Sequence, residues 1–157
     1  MKKKRVVIIS LLLLLVSVIG ISSYFLFKDK INLLDVDHSA VDRNGKKQKD
    51  TSGEENTIAI PGFEKVTLYA NETKQAVNFH NPEINDCYFK ISLIHPDGSV
   101  LWISDLIEPG KGMYSIELEK TLAVGEYENA VLKYECFSLN DQSPLNGSEI
   151  NLKLVVV

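Results

Sequence analysis

The side chains with the most scope for chemistry in this 157-residue chain are three histidines, two cysteines and a set of carboxylates clustered in turn-like stretches. His38, His80 and His95 stand singly, none at the spacing of a metal-ligand pair, which favours ordinary histidines over ligands. Cys87 and Cys136 form no CxxC, and no basic residue closely flanks either thiol to lower its pKa, so a redox or nucleophilic pair is not expected. No nucleophile elbow, phosphate-binding glycine loop or EF-hand loop is present in the sequence. The expectation is therefore a protein that is not an enzyme and carries no cofactor.

The acidic residues are more suggestive. Glu83 and Asp86 fall in NPEIND, Asp105 and Glu108 in DLIEPGKG, and Asn140 with Asp141 in LNDQSPLNGS. One reading is a recognition surface, or an oxygen-lined calcium site using Asp86, Glu108, Asn140 and Asp141. The plainer reading is that turns favour Asp, Asn, Pro and Gly for backbone reasons. The plainer reading carries more weight, and no metal is assigned.

What must position these groups is legible in the patterning. Residues 1–5 are a basic tail, and Val6 to Phe27 is a run of twenty-two uncharged, mostly apolar residues. At about 1.5 Å per helical residue such a run covers a bilayer core of roughly 30 Å. The preceding Lys2, Lys3, Lys4 and Arg5 keep the N-terminus cytoplasmic and send the remainder outward, so residues 6–27 are expected to be an uncleaved signal anchor. A cleaved signal peptide would have a shorter apolar stretch and a clearer small-residue site. Residues 28–57 are mostly polar and read as a flexible linker with a span of roughly 30 Å.

From Ile58 onward, short alternating runs are broken by Pro-Gly, Asn-Pro, Asp-Gly and Asn-Gly, the pattern of an antiparallel all-β domain over residues 58–157. Seven main strands are expected: 65–70, 75–81, 87–95, 100–104, 113–118, 127–139 and 149–157, preceded by a short Ile58-Ala59-Ile60 segment. Cys87, Phe89, Ile91 and Leu93 share one face of the third, and Ile150, Leu152, Leu154 and Val156 share one face of the last, so both sets should point inward. His95-Pro-Asp-Gly-Ser99 should close a hairpin. Trp102 is expected in the core. The final strand needs cover on its free edge, from the Ile58–Ile60 segment or a partner strand.

Seven strands in about a hundred residues match the size and rhythm of an immunoglobulin-like or fibronectin type III-like sandwich of seven to eight strands. Leu122-Ala-Val-Gly-Glu-Tyr127 resembles the tyrosine corner of those folds. Through IPGF at Ile60, SDLIEPGKG at Ser104 and LKYECFSLNDQSPLNG at Leu132, the chain also resembles small membrane-anchored, exported proteins of Gram-positive bacteria that have no assigned activity. The resemblance implies a location and a fold rather than a reaction.

In such a sandwich the third and sixth strands are antiparallel neighbours, which brings Cys87 and Cys136 together. They are expected to form a disulfide, closing a 49-residue loop for roughly 4 kcal/mol on the chain-entropy model; the alternative is two buried free thiols acting as small apolar residues. The same topology gathers the three acidic connections at one end. Residues 58–157 carry 14 acidic against 7 basic side chains, so nucleic acid is not an expected partner. The sequence thus points to a single-pass envelope protein whose outer domain binds or assembles with a protein partner. A structural spacer, or a calcium- or glycan-binding domain, is the alternative.

Overall fold

The computed structural model describes residues 33–43 and 57–157. The expected signal anchor and the linker residues 44–56 lie outside the described residues. No helix among the described residues is long and apolar enough to cross a membrane.

Eight strands make up the domain: β1 (Val41–Asp42), β2 (Lys65–Leu68), β3 (Lys74–His80), β4 (Cys87–Ile94), β5 (Val100–Ile103), β6 (Lys111–Glu117), β7 (Gly125–Ser138) and β8 (Pro144–Val156). They form two sheets, one of five strands in the order β2-β8-β7-β4-β5 and one of three in the order β1-β6-β3. The fold is all-β with two sheets around one core. Alternation decides which side chains enter it. Cys87, Phe89, Ile91 and Leu93 of β4 and Ala130, Leu132, Tyr134 and Cys136 of β7 are all buried. Leu152, Leu154 and Val156 of β8 are buried too, while Ile150 packs against the cluster from its margin. The sheets meet where Phe79 of β3 faces Trp102 of β5, ring centroids 5.8 Å apart. Trp102 is a core residue, and the neighbouring Leu106 and Ile107 are fully buried.

The β4–β5 hairpin forms where His95-Pro-Asp-Gly-Ser99 places it. Gly98 alone takes a positive φ, +84°, and the His95 N–H donates to the Ser99 carbonyl at 2.9 Å. Pro96 fixes the φ of the first turn position, giving a three-residue loop with glycine in the left-handed place. The Asp97 carboxylate accepts from the Ser99 hydroxyl at 2.6 Å and from the Ser99 N–H at 2.8 Å, and these two bonds hold its pKa well below the carboxylate range.

Three features differ from expectation. The last strand is not an edge: β2 lies parallel along it, with Lys65 to Leu68 opposite Lys153 to Val156. The Ile58–Ile60 segment therefore does not cover β8 but is held elsewhere, by Asn85. The last strand also begins five residues early, at Pro144, because Asn146 and Gly147 sit in a β-bulge rather than a loop: Cys136 pairs with Leu145 but Tyr134 with Ser148. Finally, the first part of the expected linker is structured. Val41 and Asp42 pair with Gly112 and Lys111, and Val36 bridges Leu106 in parallel. Leu34-Asp-Val-Asp37 alternates apolar and acidic residues, and Leu34 and Val36 are partly buried where a coil would leave them exposed.

Candidate functional site

The three acidic connections are tied down largely by local bonds. The Asp141 carboxylate accepts from the Ser143 N–H at 3.1 Å, closing an Asx-turn, and this bonding lowers its pKa. The Asn140 N–H donates to Ser138 Oγ at 3.2 Å. Glu108 forms an ion pair with Lys111, Glu83 lies alongside Gly110, and Asp86 is exposed immediately before Cys87. Among the described residues no three His, Cys, Asp or Glu side chains are grouped so that they could hold a metal ion. The alternative calcium set of Asp86, Glu108, Asn140 and Asp141 is thus not grouped among the described residues; Asp141 serves its own turn and Glu108 its ion pair with Lys111.

Two of these connections are instead strapped by residues 34–43. Gln142 exchanges two bonds with the Leu34 backbone, at 2.6 and 3.0 Å. The Leu106 N–H donates to the Asp35 carbonyl and the Asp37 N–H to the Leu106 carbonyl, while the Asp105 N–H donates to the Asp37 carboxylate at 3.2 Å. The Arg43 N–H then reaches the Gly110 carbonyl at 3.0 Å.

Beneath this strap lies a buried polar knot. Asn81, fully buried, donates from Nδ2 to the carbonyls of Cys87 and Ile107 at 2.8 and 2.9 Å. Its Oδ1 accepts from Asn85 Nδ2 at 2.9 Å. Asn85 in turn treats Ala59 as a strand would, accepting from its N–H at 2.7 Å and donating to its carbonyl at 3.0 Å. Three connections are thereby joined through two side chains. In NPEIND these asparagines read as turn formers; nothing in their spacing marks them as clamps.

The cysteines stand as free thiols, both buried. Cys87 pairs with Ser138 and Cys136 with Phe89, so the two are diagonal neighbours on one face of the β4–β7 ladder. They share a hydrogen bond that lowers the Cys87 pKa and raises that of Cys136, which burial raises further.

Tyr134 packs edge-on to Phe89, centroids 5.3 Å apart, with its hydroxyl buried and lacking a hydrogen-bond partner. Burial pushes its pKa far up. An orphaned buried hydroxyl costs about 1 kcal/mol or more, so Tyr134→Phe should stabilise the fold by about 1 kcal/mol. A raised native pKa gives a contribution that is complete below the unfolded value of about 10 and is lost as pH rises above it. Melting curves from neutral pH to above pH 10 should therefore show the wild type losing stability in alkali and Tyr134→Phe losing less.

A groove of about 480 Å³ is lined by Trp102 and Ile103 of β5 and by Met113, Ser115, Ile116 and Glu117 of β6, with Trp102, Met113 and Ile116 its apolar, buried part. A shallower depression of about 350 Å³ lies over the β7–β8 bulge. Comparison with protein-family models, with characterised proteins and with solved structures gave no match for this chain.

Proposed function

We propose that the chain is a non-catalytic binding or assembly module of the cell envelope, held in the membrane by residues 6–27 with its β domain on the outer side. The observation that carries the binding role is the open groove lined by β5 and β6, with apolar Trp102, Met113 and Ile116 within it. The fold proposed for that domain is immunoglobulin-like. Its support is the strand order β2-β8-β7-β4-β5 facing β6-β3, together with Tyr127, whose hydroxyl donates to the Ala123 carbonyl at 2.9 Å as a tyrosine corner does.

Crosslinking of intact cells followed by purification of the full chain tests the reading. A specific protein should be captured, and it should be lost when the groove rim is reversed in charge. Capture of nothing by either form, with no envelope defect on deletion, would leave a structural spacer as the better description. One observation favours that second reading: the acidic loop end is bonded to its own turns and strap instead of being left open. Thermal-shift measurements against calcium, glycans and peptides separate the two, since a specific ligand stabilises by mass action.

An exported domain also meets an oxidising compartment. There the Cys87 and Cys136 thiols would give up two hydrogens to an external disulfide by exchange, forming one S–S bond and two reduced thiols on the acceptor. Intact-mass measurement of protein from the native envelope, before and after reduction, should show two hydrogens gained on reduction. An unchanged mass, with both thiols alkylated only after denaturation, would identify them as buried free thiols.

A further inference from the structure

The three-stranded sheet is incompletely paired. On its β1 side, β6 meets β1 only at Lys111 and Gly112. The chain before β1 leaves that row through a turn in which the Ala40 N–H donates to the Asp37 carbonyl at 3.2 Å. No strand lies on that side of Ser115–Glu117 among the described residues. The far end of the row is closed where the Glu119 N–H donates to the Leu101 carbonyl at 2.8 Å, joining β6 to the β5 edge. Between these two ends lies the groove. An edge of this kind is a ready template for a further strand.

From this geometry we infer that the groove receives an extended peptide segment of a protein partner, added to β6 in line with β1 and alternating apolar with basic residues. This rests on the reading of the chain as a binding module and names what it binds. The row has room for a segment of about five residues, roughly 17 Å long. Side chains of one parity would rest on Trp102, Met113 and Ile116, which are buried and apolar. Those of the other parity would meet a rim holding Asp37, Glu117 and Glu119 against a single cation, Lys74. Three carboxylates to one ammonium select for Lys or Arg on the incoming strand and against acidic segments. Asp37 is fixed in place by its bonds from Ser39 and from the Asp105 N–H. Glu117 and Glu119 are exposed and available to a ligand.

The test uses the full chain in detergent micelles and a fluorescent peptide of three Lys-Val repeats, with a Glu-Val counterpart. Two further versions carry N-methyl groups either on every valine amide or on every lysine amide. Because alternate amides point to opposite edges of a strand, strand addition requires one methylated version to lose binding while the other retains it. The basic peptide should bind and the acidic one should not. Glu117→Lys combined with Glu119→Lys should weaken binding by about tenfold, with an unchanged melting transition showing that the variant is folded. Absence of binding by the basic peptide, equal binding of both methylated versions, or indifference to the rim reversal would each overturn the inference. Cellular crosslinking judges the binding-module reading separately: a partner captured by a protein that ignores these peptides leaves the module standing and removes the strand-addition site.

Discussion

Asn81→Leu is expected to destabilise the domain by about 4 kcal/mol, the largest effect of any single side-chain replacement proposed for this protein. The substitution keeps the number and branching of the side-chain heavy atoms and removes the amide. The Cys87 carbonyl and the Ile107 carbonyl each lose a donor, Ile107 keeping only the Phe89 N–H, and the Asn85 amide keeps Ala59 but loses its second acceptor. Each group left short of a partner costs about 1–3 kcal/mol, because water cannot replace the lost one. The backbone of Asn81 adds to the position's importance, since its N–H donates to the Lys111 carbonyl and its carbonyl accepts from the Gly110 N–H. Those bonds survive the substitution, so the measured loss reports the side chain. For a domain of about a hundred residues the melting temperature should fall by roughly 20 °C. Asn85→Leu should cost about 2 kcal/mol or more, since it frees the Ala59 N–H and carbonyl and takes the donor from the buried Asn81 Oδ1. A double-mutant cycle then reads the Asn81–Asn85 coupling directly. A loss below about 1 kcal/mol for Asn81→Leu would mean that the loops find other partners and that the knot does not hold this end together.

The parts of the structure that sequence patterning reveals are those with one wet and one dry face. β4 and the C-terminal half of β8 repeat with period two: the four predicted residues of β4 are buried, joined by Ser92, and in β8 Leu152, Leu154 and Val156 are buried while Ile150 is only partly so. The pattern of β7 is less decisive, since Val131 and Phe137 are apolar on the opposite face; both are only partly buried, and Leu132 and Tyr134 take the core. That β4 and β7 are neighbours, and with it the closeness of Cys87 and Cys136, follows from the resemblance to a seven-strand sandwich and not from the pattern itself. The bulge at Gly147 was hidden because Pro144 and Asn146-Gly147 carry the residue types of a loop, although a proline at a strand's first position and a glycine at a bulge are equally allowed. The parallel partner of the last strand was hidden for another reason: local patterning gives the faces of a strand but not which strand lies beside it. The strap at residues 34–43 did leave a signal, the alternation of Leu34, Asp35, Val36 and Asp37, which the surrounding polar sequence masked. Of the acidic candidates, the sequence places the turns but not that Asp141 would serve its own turn and Glu108 pair with Lys111. The groove was not legible at all, because its lining comes from β5 and β6, strands of different sheets.

Gly147→Ala should cost about 3 kcal/mol, although the residue is exposed and the change adds one methyl group. A Cβ at this position would lie 2.2 Å from the Tyr134 carbonyl oxygen and 3.3 Å from its carbon. Both are backbone atoms of the adjacent strand, so no side chain can swing aside; either β8 lifts away from β7 or the bulge moves. Moving the bulge is costly because it sets the phase between two stretches of β8. On one side Ser148 pairs with Tyr134, on the other Leu145 pairs with Cys136, and the extra residue is absorbed between them. The strain should therefore be felt at the buried end of β7, where Tyr134 packs on Phe89 and Cys136 meets Cys87. Gly62→Ala is the control, since no atom lies within 4 Å of its added Cβ. There the smaller entropy of the unfolded chain should leave stability unchanged or raised by about 0.5 kcal/mol. Urea denaturation of the two variants should differ by about 3 kcal/mol, and alkylation of Cys136 in the reduced protein should accelerate in Gly147→Ala alone. If the two variants unfold at the same urea concentration, the close approach at Gly147 relaxes without cost and the bulge is not fixed by this glycine.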